Sequence, residues 1–579
     1  MKKKSYIYNK VKGTVISSLL FSCSSFLLTA CSDFFDILPM NDVVLENYWT
    51  KKDDVTSVLN GCYEAMEDAD VITRIGVWGE MRSENIKAGS NVPNEINEIL
   101  KENILQSNPM CNWAKFYNVI NRCNVLCYYA PKVQAIDPNY TLAEMKANVA
   151  EATFLRSLSY FYLIRTFRDV PYTKKPSLED GQNYVLAPTP FLAAIDSLIQ
   201  DLEAVKGDAV RRYEVEKYSG SNYSLPEINT SRITCWAIYA LLADLYLWKG
   251  DWDNVVKYCD LVLNYKRQQY QEILDHIGAI SDMDLFNGIP LIVERKTSST
   301  TYGNAYNLIF GVGNSFESLF ELYYSSAQTL QNTWVNNYYY DSSRGSARLS
   351  PWSGLQENVA TGNNTLFGQK DCRAYEAFYA GTSSDYIAKY AVYSVSFTTQ
   401  SLKTLADAKI SMTLRGGGYS NWIFYRLSDV ILMKAEALIE KGTENFESAF
   451  ALINAVNKRA LNATDALKGT LASDTLKMST YTASKSKMVD LLFAERHREF
   501  LFEGKRWYDL VRLSRREGNT TRLASDATRK YLQDLNVIKI KLSDPNYIYF
   551  PYSKNELKVN PLLQQNPAFN KGEDSGLTK

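Results

Sequence analysis

Histidine is almost missing from this chain: His276 and His497 are the only two in 579 residues. A Ser-His-Asp or Cys-His arrangement needs its one histidine well placed, and a zinc hydrolase usually needs two or three, so the scarcity weighs against several enzyme classes at once. The sequence also has no GxSxG, no HExxH, no Gly-rich phosphate loop and no EF-hand loop. Its one glycine cluster, "RGGGYS" at Arg415–Ser420, lacks the Gly-Lys-Ser/Thr that would make it a phosphate cradle and reads as a loop. Net charge is missing too, because 64 basic and 64 acidic residues cancel. With no basic block beyond the first lysines, nothing argues for a grip on nucleic acid. No CxxC pair occurs. Beyond Cys23 and Cys31 the cysteines are Cys62, Cys111, Cys123, Cys127, Cys235, Cys259 and Cys372. An odd number without paired spacing argues for buried thiols and at most a disulfide or two, and against a zinc knuckle. No catalytic residue, metal or cofactor is therefore expected, although a glycosidase needs only two carboxylates and 64 acids leave that open.

Long apolar runs are equally few. Met1–Lys12 carries five lysines and no acid, and Thr14–Ala30 follows as an uncharged, mostly apolar run of 17 residues. That is a secretory signal layout, short of the roughly 20 residues of a spanning helix. Leu28-Thr29-Ala30-Cys31 resembles the bacterial lipobox, in which cleavage precedes the cysteine and its thiol takes a diacylglycerol. Residues 1–30 then form the signal, and Cys31 is the lipid attachment point that holds the mature chain, 31–579, on a membrane without spanning it.

What remains is ample for a folded body, with 46% hydrophobic residues and tyrosine as the outlier, 40 against 24 phenylalanines and 10 tryptophans. A tyrosine packs as an apolar ring while its hydroxyl reaches a hydrogen bond, which suits helix packing and also suits surfaces that stack on flat, hydroxylated ligands. Ala143–Phe167 is apolar around most of a helix circumference, which predicts a buried helix ending at "RDVPY". Cys235–Leu263 reads as helix, turn at Lys249-Gly250-Asp251, helix, and Leu432–Ala460 repeats the design with Lys441-Gly442 at its turn. These units resemble tetratricopeptide helix pairs. Being far apart in sequence, they read as units within a globular fold rather than a tandem solenoid. Between them, 297–418 is rich in Ser, Gly, Asn and Tyr with no helical period, which predicts long loops and short strands, the usual carriers of binding residues. In Asp490–Leu513, the residues Glu495, Arg498, Glu499, Phe502, Glu503 and Arg506 keep helical spacing. Each acid has an arginine neighbour, so an internal ion-pair lattice is the expectation, with a structural His497 inside it.

Five stretches together resemble the SusD/RagB-type lipoproteins of Bacteroidetes: "CSDFFDILP", "EATFLRSLSYFYLIRTFRDVPY", "YRLSDVILMKAEALIE" with "INAVNKRA", "AERHREFLFEGKRWYDLVR" and "YFPYSKNELKVNPLLQQNPAF". They run in the family's order from Cys31 to Phe569, with Phe550-Pro551-Tyr552 where the family usually has Pro-Ile-Pro. The resemblance implies a mostly α fold, a single large SusD-like domain with tetratricopeptide-like helix pairs as scaffold, long loops and a few short strands. It implies a place on the outer membrane, facing the cell exterior. It also implies a SusC-like TonB-dependent transporter as partner, over which the lipoprotein captures a glycan; RagB-like capture of peptides is the alternative, and a surface-tethered hydrolase or a protein-binding adaptor stands further off. Because the family shares no ligand-binding motif, the site is sought in texture. The early loop offers Trp78, Arg82 and Asn85, and the middle loops offer Tyr302, Tyr306, Trp334, Tyr338, Tyr339, Arg344 and Trp352. Aromatic rings there would stack on sugars while Arg and Asn fixed hydroxyls, and each residue taken alone also fits loop packing.

Overall fold

A computed structural model of the chain describes residues 48–570, apart from 179–181, 183–184, 295–300, 326–329, 341–345, 357–365, 368–370, 381–384, 399–408, 417 and 462–475. The signal segment, the lipobox and Cys31 lie outside the described residues. No helix of the described residues is long and apolar enough to cross a membrane.

The frame is a relay of helices, most packed on the next, and the last returns to pack on α2. Its first group is α1 (Lys52–Glu67), α2 (Ala69–Glu80), α3 (Ala114–Ile136) and α4 (Leu142–Phe167). A capping box starts α4: the Thr141 hydroxyl accepts from the Glu144 N–H while the Glu144 carboxylate accepts from the Thr141 N–H. Every residue from Ala150 to Phe167 is buried, as the all-round apolar pattern predicts. Next come α5 (Phe191–Val205), α6 (Cys235–Lys249) and α7 (Trp252–Ile277), then α8 (Leu427–Lys441), α9 (Phe446–Ala460), α10 (Lys485–Glu499) and α11 (Arg506–Glu517). The predicted turn between α6 and α7 is present, with Gly250 at φ 85° and the Asp251 carboxylate accepting from the Asn254 N–H. The two predicted helix pairs are both present, and α7 packs directly against α8. Lys434 on α8 bonds Asp260 on α7 at 2.6 Å, so units remote in sequence stack as neighbours in space.

The strands are short. β1 (Ile86–Ala88), β2 (Ser318–Leu322), β3 (Leu349–Pro351), β4 (Phe378–Ala380), β5 (Asp385–Ile387), β6 (Val392–Thr398), β7 (Lys409–Leu414) and β8 (Trp422–Arg426) pair antiparallel as β1–β3, β2–β8, β4–β5 and β6–β7. Most of them lie on the chain between α7 and α8, and the fold as a whole is mostly α.

Glu495 to Arg506 do not share one helix. α10 ends at Glu499 and α11 begins at Arg506, with Phe502 at φ 64° and Gly504 at φ 70° in the turn between. The lattice is real and reaches further than one helix face. Buried Glu499 takes Arg373 at 2.8 Å together with Arg426 and Arg459, while Glu503 takes Arg426 at 2.8 Å and Lys389 at 2.6 Å. Burial alone would raise the Glu499 carboxyl, but Arg459, Arg426 and Arg373 outweigh it and hold it well below its ordinary value. The cysteines from Cys62 to Cys372 are all free thiols, and only Cys127 is not fully buried.

Candidate functional site

The structure carries most of the sequence-predicted ligand residues inward. On α2, the Trp78 indole N–H donates to the Met110 carbonyl at 2.9 Å. Arg82 lies over the Trp507 ring and pairs with buried Glu102 at 2.7 Å. Asn85 donates to Glu80 at 2.6 Å and accepts from His497 Nε2 at 2.6 Å. The Tyr339 hydroxyl donates to the Phe502 carbonyl, Tyr306 bonds the Ala388 and Val392 carbonyls, and the Tyr338 ring lies tilted against Trp334, 5.0 Å away. These side chains are all buried and none offers an open face; most meet a carbonyl or a carboxylate inside, while Trp334 Nε1 has no acceptor among the described residues. Gly76 shows how tightly Trp334 is held, since a Cβ there would lie 2.1 Å from its ring. Tyr302 pairs with β6 through its backbone, and Arg344 lies outside the described residues. Trp352 alone is half-exposed, its N–H bonded to the Asn85 carbonyl at 2.8 Å.

An open aromatic surface does form on the β4–β5 hairpin, from residues the sequence reading passed over. In the β4–β5 hairpin, Tyr379 stands directly opposite Tyr386, their rings stacked 5.0 Å apart. Tyr386 in turn meets Tyr340 at 4.5 Å, so three rings run in a row. Tyr379 is 37% exposed at one end, Tyr340 is half-exposed at the other, and Tyr386 is buried between them. Burial, then the neighbouring Tyr340 and Tyr379, pushes the Tyr386 hydroxyl up to about 12, so it stays a neutral donor at any physiological pH. Polar groups flank the ladder. Lys87 on β1 faces Ser350 on β3, the Ser350 hydroxyl donates to the Asp385 carbonyl at 3.1 Å, and Asp385 lies 3.9 Å from Lys87. These bonds fasten the β1–β3 ribbon to the hairpin that carries the rings.

At Glu376 carboxylate chemistry finds no such opening. Glu376 is hydrogen-bonded to Glu294, and burial, then the Glu294 charge, raises its carboxyl well above the ordinary range. The cavity beside this pair holds about 30 Å³, room for a water and not for a sugar. Among the described residues, no group of three or more His, Cys, Asp or Glu is placed to hold a metal.

The chain matches the SusD family over residues 297–569. The SusD-like protein P38 of Formosa agariphila is 24% identical across 97% of this chain and 100% of its own length. Among solved structures, a SusD superfamily protein from Bacteroides vulgatus superposes with a TM-score of 0.62 at 17% identity, covering 90% of this chain and 100% of that one. B. fragilis NanU gives a TM-score of 0.58 at 18% identity over 92% of this chain and 99% of its own. Residues 297–569 thus match the SusD family, and the similarity to SusD-like proteins runs over nearly the whole chain.

Proposed function

We propose that this chain is a glycan-binding lipoprotein of the outer-membrane surface, held by a lipid on Cys31, that captures oligosaccharide for a SusC-like TonB-dependent transporter. The observation that carries the reading is the Tyr379–Tyr386–Tyr340 ladder. Its exposed rings can take the flat faces of sugar rings, while the partly exposed Lys87 and Asp385 nearby can meet hydroxyls. Trp352, half-exposed, is a further candidate for the same role, and Trp78, Trp334 and Tyr339 serve as buried packing. On this reading 31–579 works as a single SusD-like domain and 297–418 supplies its ligand-binding part.

The test is a binding screen of the full-length protein against plant, microbial and host glycans and short peptides, with turnover measured on the same samples. Binding to one glycan class without product is the expected result. Binding to peptides alone would transfer the cargo to the RagB-like alternative, and product formation would overturn the binding-only reading.

A further inference from the structure

A second cleft, of about 540 Å³, opens on the helical frame where the α6–α7 turn meets the C-terminal end of α11. Its lining holds five cations, Arg168, Lys249, Arg512, Arg515 and Arg516, and no carboxylate, in a chain of zero net charge. Four of the five are neutralised from behind. Arg168 pairs with Asp169 at 2.8 Å, Lys249 with Asp196 at 2.8 Å, and Arg512 and Arg516 both with Glu436 at 2.7 Å. Arg515 is the exception. It stacks on Phe191 at 3.9 Å and donates to the Tyr549 hydroxyl at 2.8 Å, yet no carboxylate among the described residues pairs with it. Two further donors in lining residues, Trp248 Nε1 and Arg516 Nη2, have no acceptor among the described residues.

The wall completes the chemistry. Trp252, at the start of α7, is half-exposed in the lining, and Asn519 and Asn546 line the cleft as well. Arg168 is held in the left-handed region, at φ 72° and ψ −71°, a conformation that costs energy for a residue with a Cβ. Its guanidinium is fixed there by Asn546 at 2.9 Å, so the strained residue is pinned at the cleft. A donor-rich cleft with an unpaired guanidinium and an indole wall fits a ligand that carries a negative group on a flat ring.

We infer that this cleft binds an acidic saccharide, its carboxylate or sulfate on Arg515 and its ring on Trp252. The inference rests on the glycan-binding reading, but it concerns a different surface from the tyrosine ladder. Calorimetry on the full-length protein with a galacturonic acid trimer, a sulfated galactose oligomer and the neutral galactose trimer separates the possibilities.

The acidic ligands are expected to bind in a salt-dependent manner, and Arg515→Gln to weaken them about tenfold or more. Lys249→Gln, on the exposed rim, should weaken them several-fold. Thermal melting of both variants checks that they fold. The carboxylate and sulfate arms show which anion the cleft prefers, either result being consistent with the assignment. Failure of the unmodified protein to bind either acid at millimolar concentration would overturn it. So would equal binding of the neutral trimer, or affinities unchanged in both variants. A protein that binds neutral glycans through the ladder and no acid here loses this inference alone, whereas one that binds no glycan at all loses the proposed function as well.

Discussion

Tyr379 contributes an exposed ring whose other face is already covered by Tyr386, so its removal should cost ligand contact and little folding energy. Tyr379→Ala is expected to weaken glycan binding by about 1 kcal/mol with an unchanged melting temperature, as calorimetry and thermal denaturation would measure. Gly79 has the opposite character. A Cβ there would sit 1.8 Å from the Gly504 carbonyl oxygen, a backbone atom that cannot swing aside, so Gly79→Ala should destabilise by roughly 1–3 kcal/mol in urea unfolding. His497 gives a pH signature. Burial, then the Arg506 charge, lowers its imidazole to about 3, so the native state refuses a proton that the unfolded chain takes near its ordinary value. Stability from this group is present above about pH 6.5 and is lost as pH falls towards the native value. Glu80, raised by burial to about 7, works against it over the same range, so His497 must be isolated by comparison with a variant. Between about pH 6.5 and 4.5 the native protein should lose roughly 2 kcal/mol relative to His497→Gln. A constant difference would show that the ring protonates in place.

At the scale of elements, the Glu499 carboxylate joins α10 to Arg426 at the start of α8, to Arg459 on α9 and to Arg373 between β3 and β4. Glu499→Gln keeps the shape and removes the charge on which three buried guanidiniums depend. The expected loss is about 3–5 kcal/mol in denaturant unfolding, because an unpaired buried charge costs more than a well-made pair gains. A loss below 1 kcal/mol would mean that Glu503 and Glu495 suffice. The same elements show what the sequence made legible. α4 and the α6–α7 pair follow from apolar periodicity and from Gly250 at the turn, both local signals. The break between α10 and α11 does not follow, since charges at helical spacing continue through it and only Gly504 marks it. The ladder was harder still. In "NNYYYDSS" the three tyrosines are equivalent on paper, and only tertiary packing buries Tyr338 and Tyr339 and leaves Tyr340 half-open. Tyr379 and Tyr386 did carry a signal, alternating residues on either side of "GTSS", which is the pattern of a hairpin.

For the whole molecule, the stacking of the α6–α7 pair on the α8–α9 pair builds one rigid frame from segments remote in sequence, and the short-strand region inserted between them carries the aromatic surface. A helical scaffold whose packing tolerates wide change in sequence explains why a solved structure at 17% identity keeps the fold. It also explains why the site residues were the least legible part: aromatic residues in a loop-rich segment serve packing and binding alike until burial separates them. The central claim is that the tyrosine ladder captures glycan, and affinity measured with and without its two outer rings tests it most directly. For whichever oligosaccharide the unmodified full-length protein binds, the account predicts that Tyr340→Ala/Tyr379→Ala loses at least about tenfold in affinity at unchanged thermal stability. Full affinity in that folded double variant would contradict it and place the glycan elsewhere on the molecule.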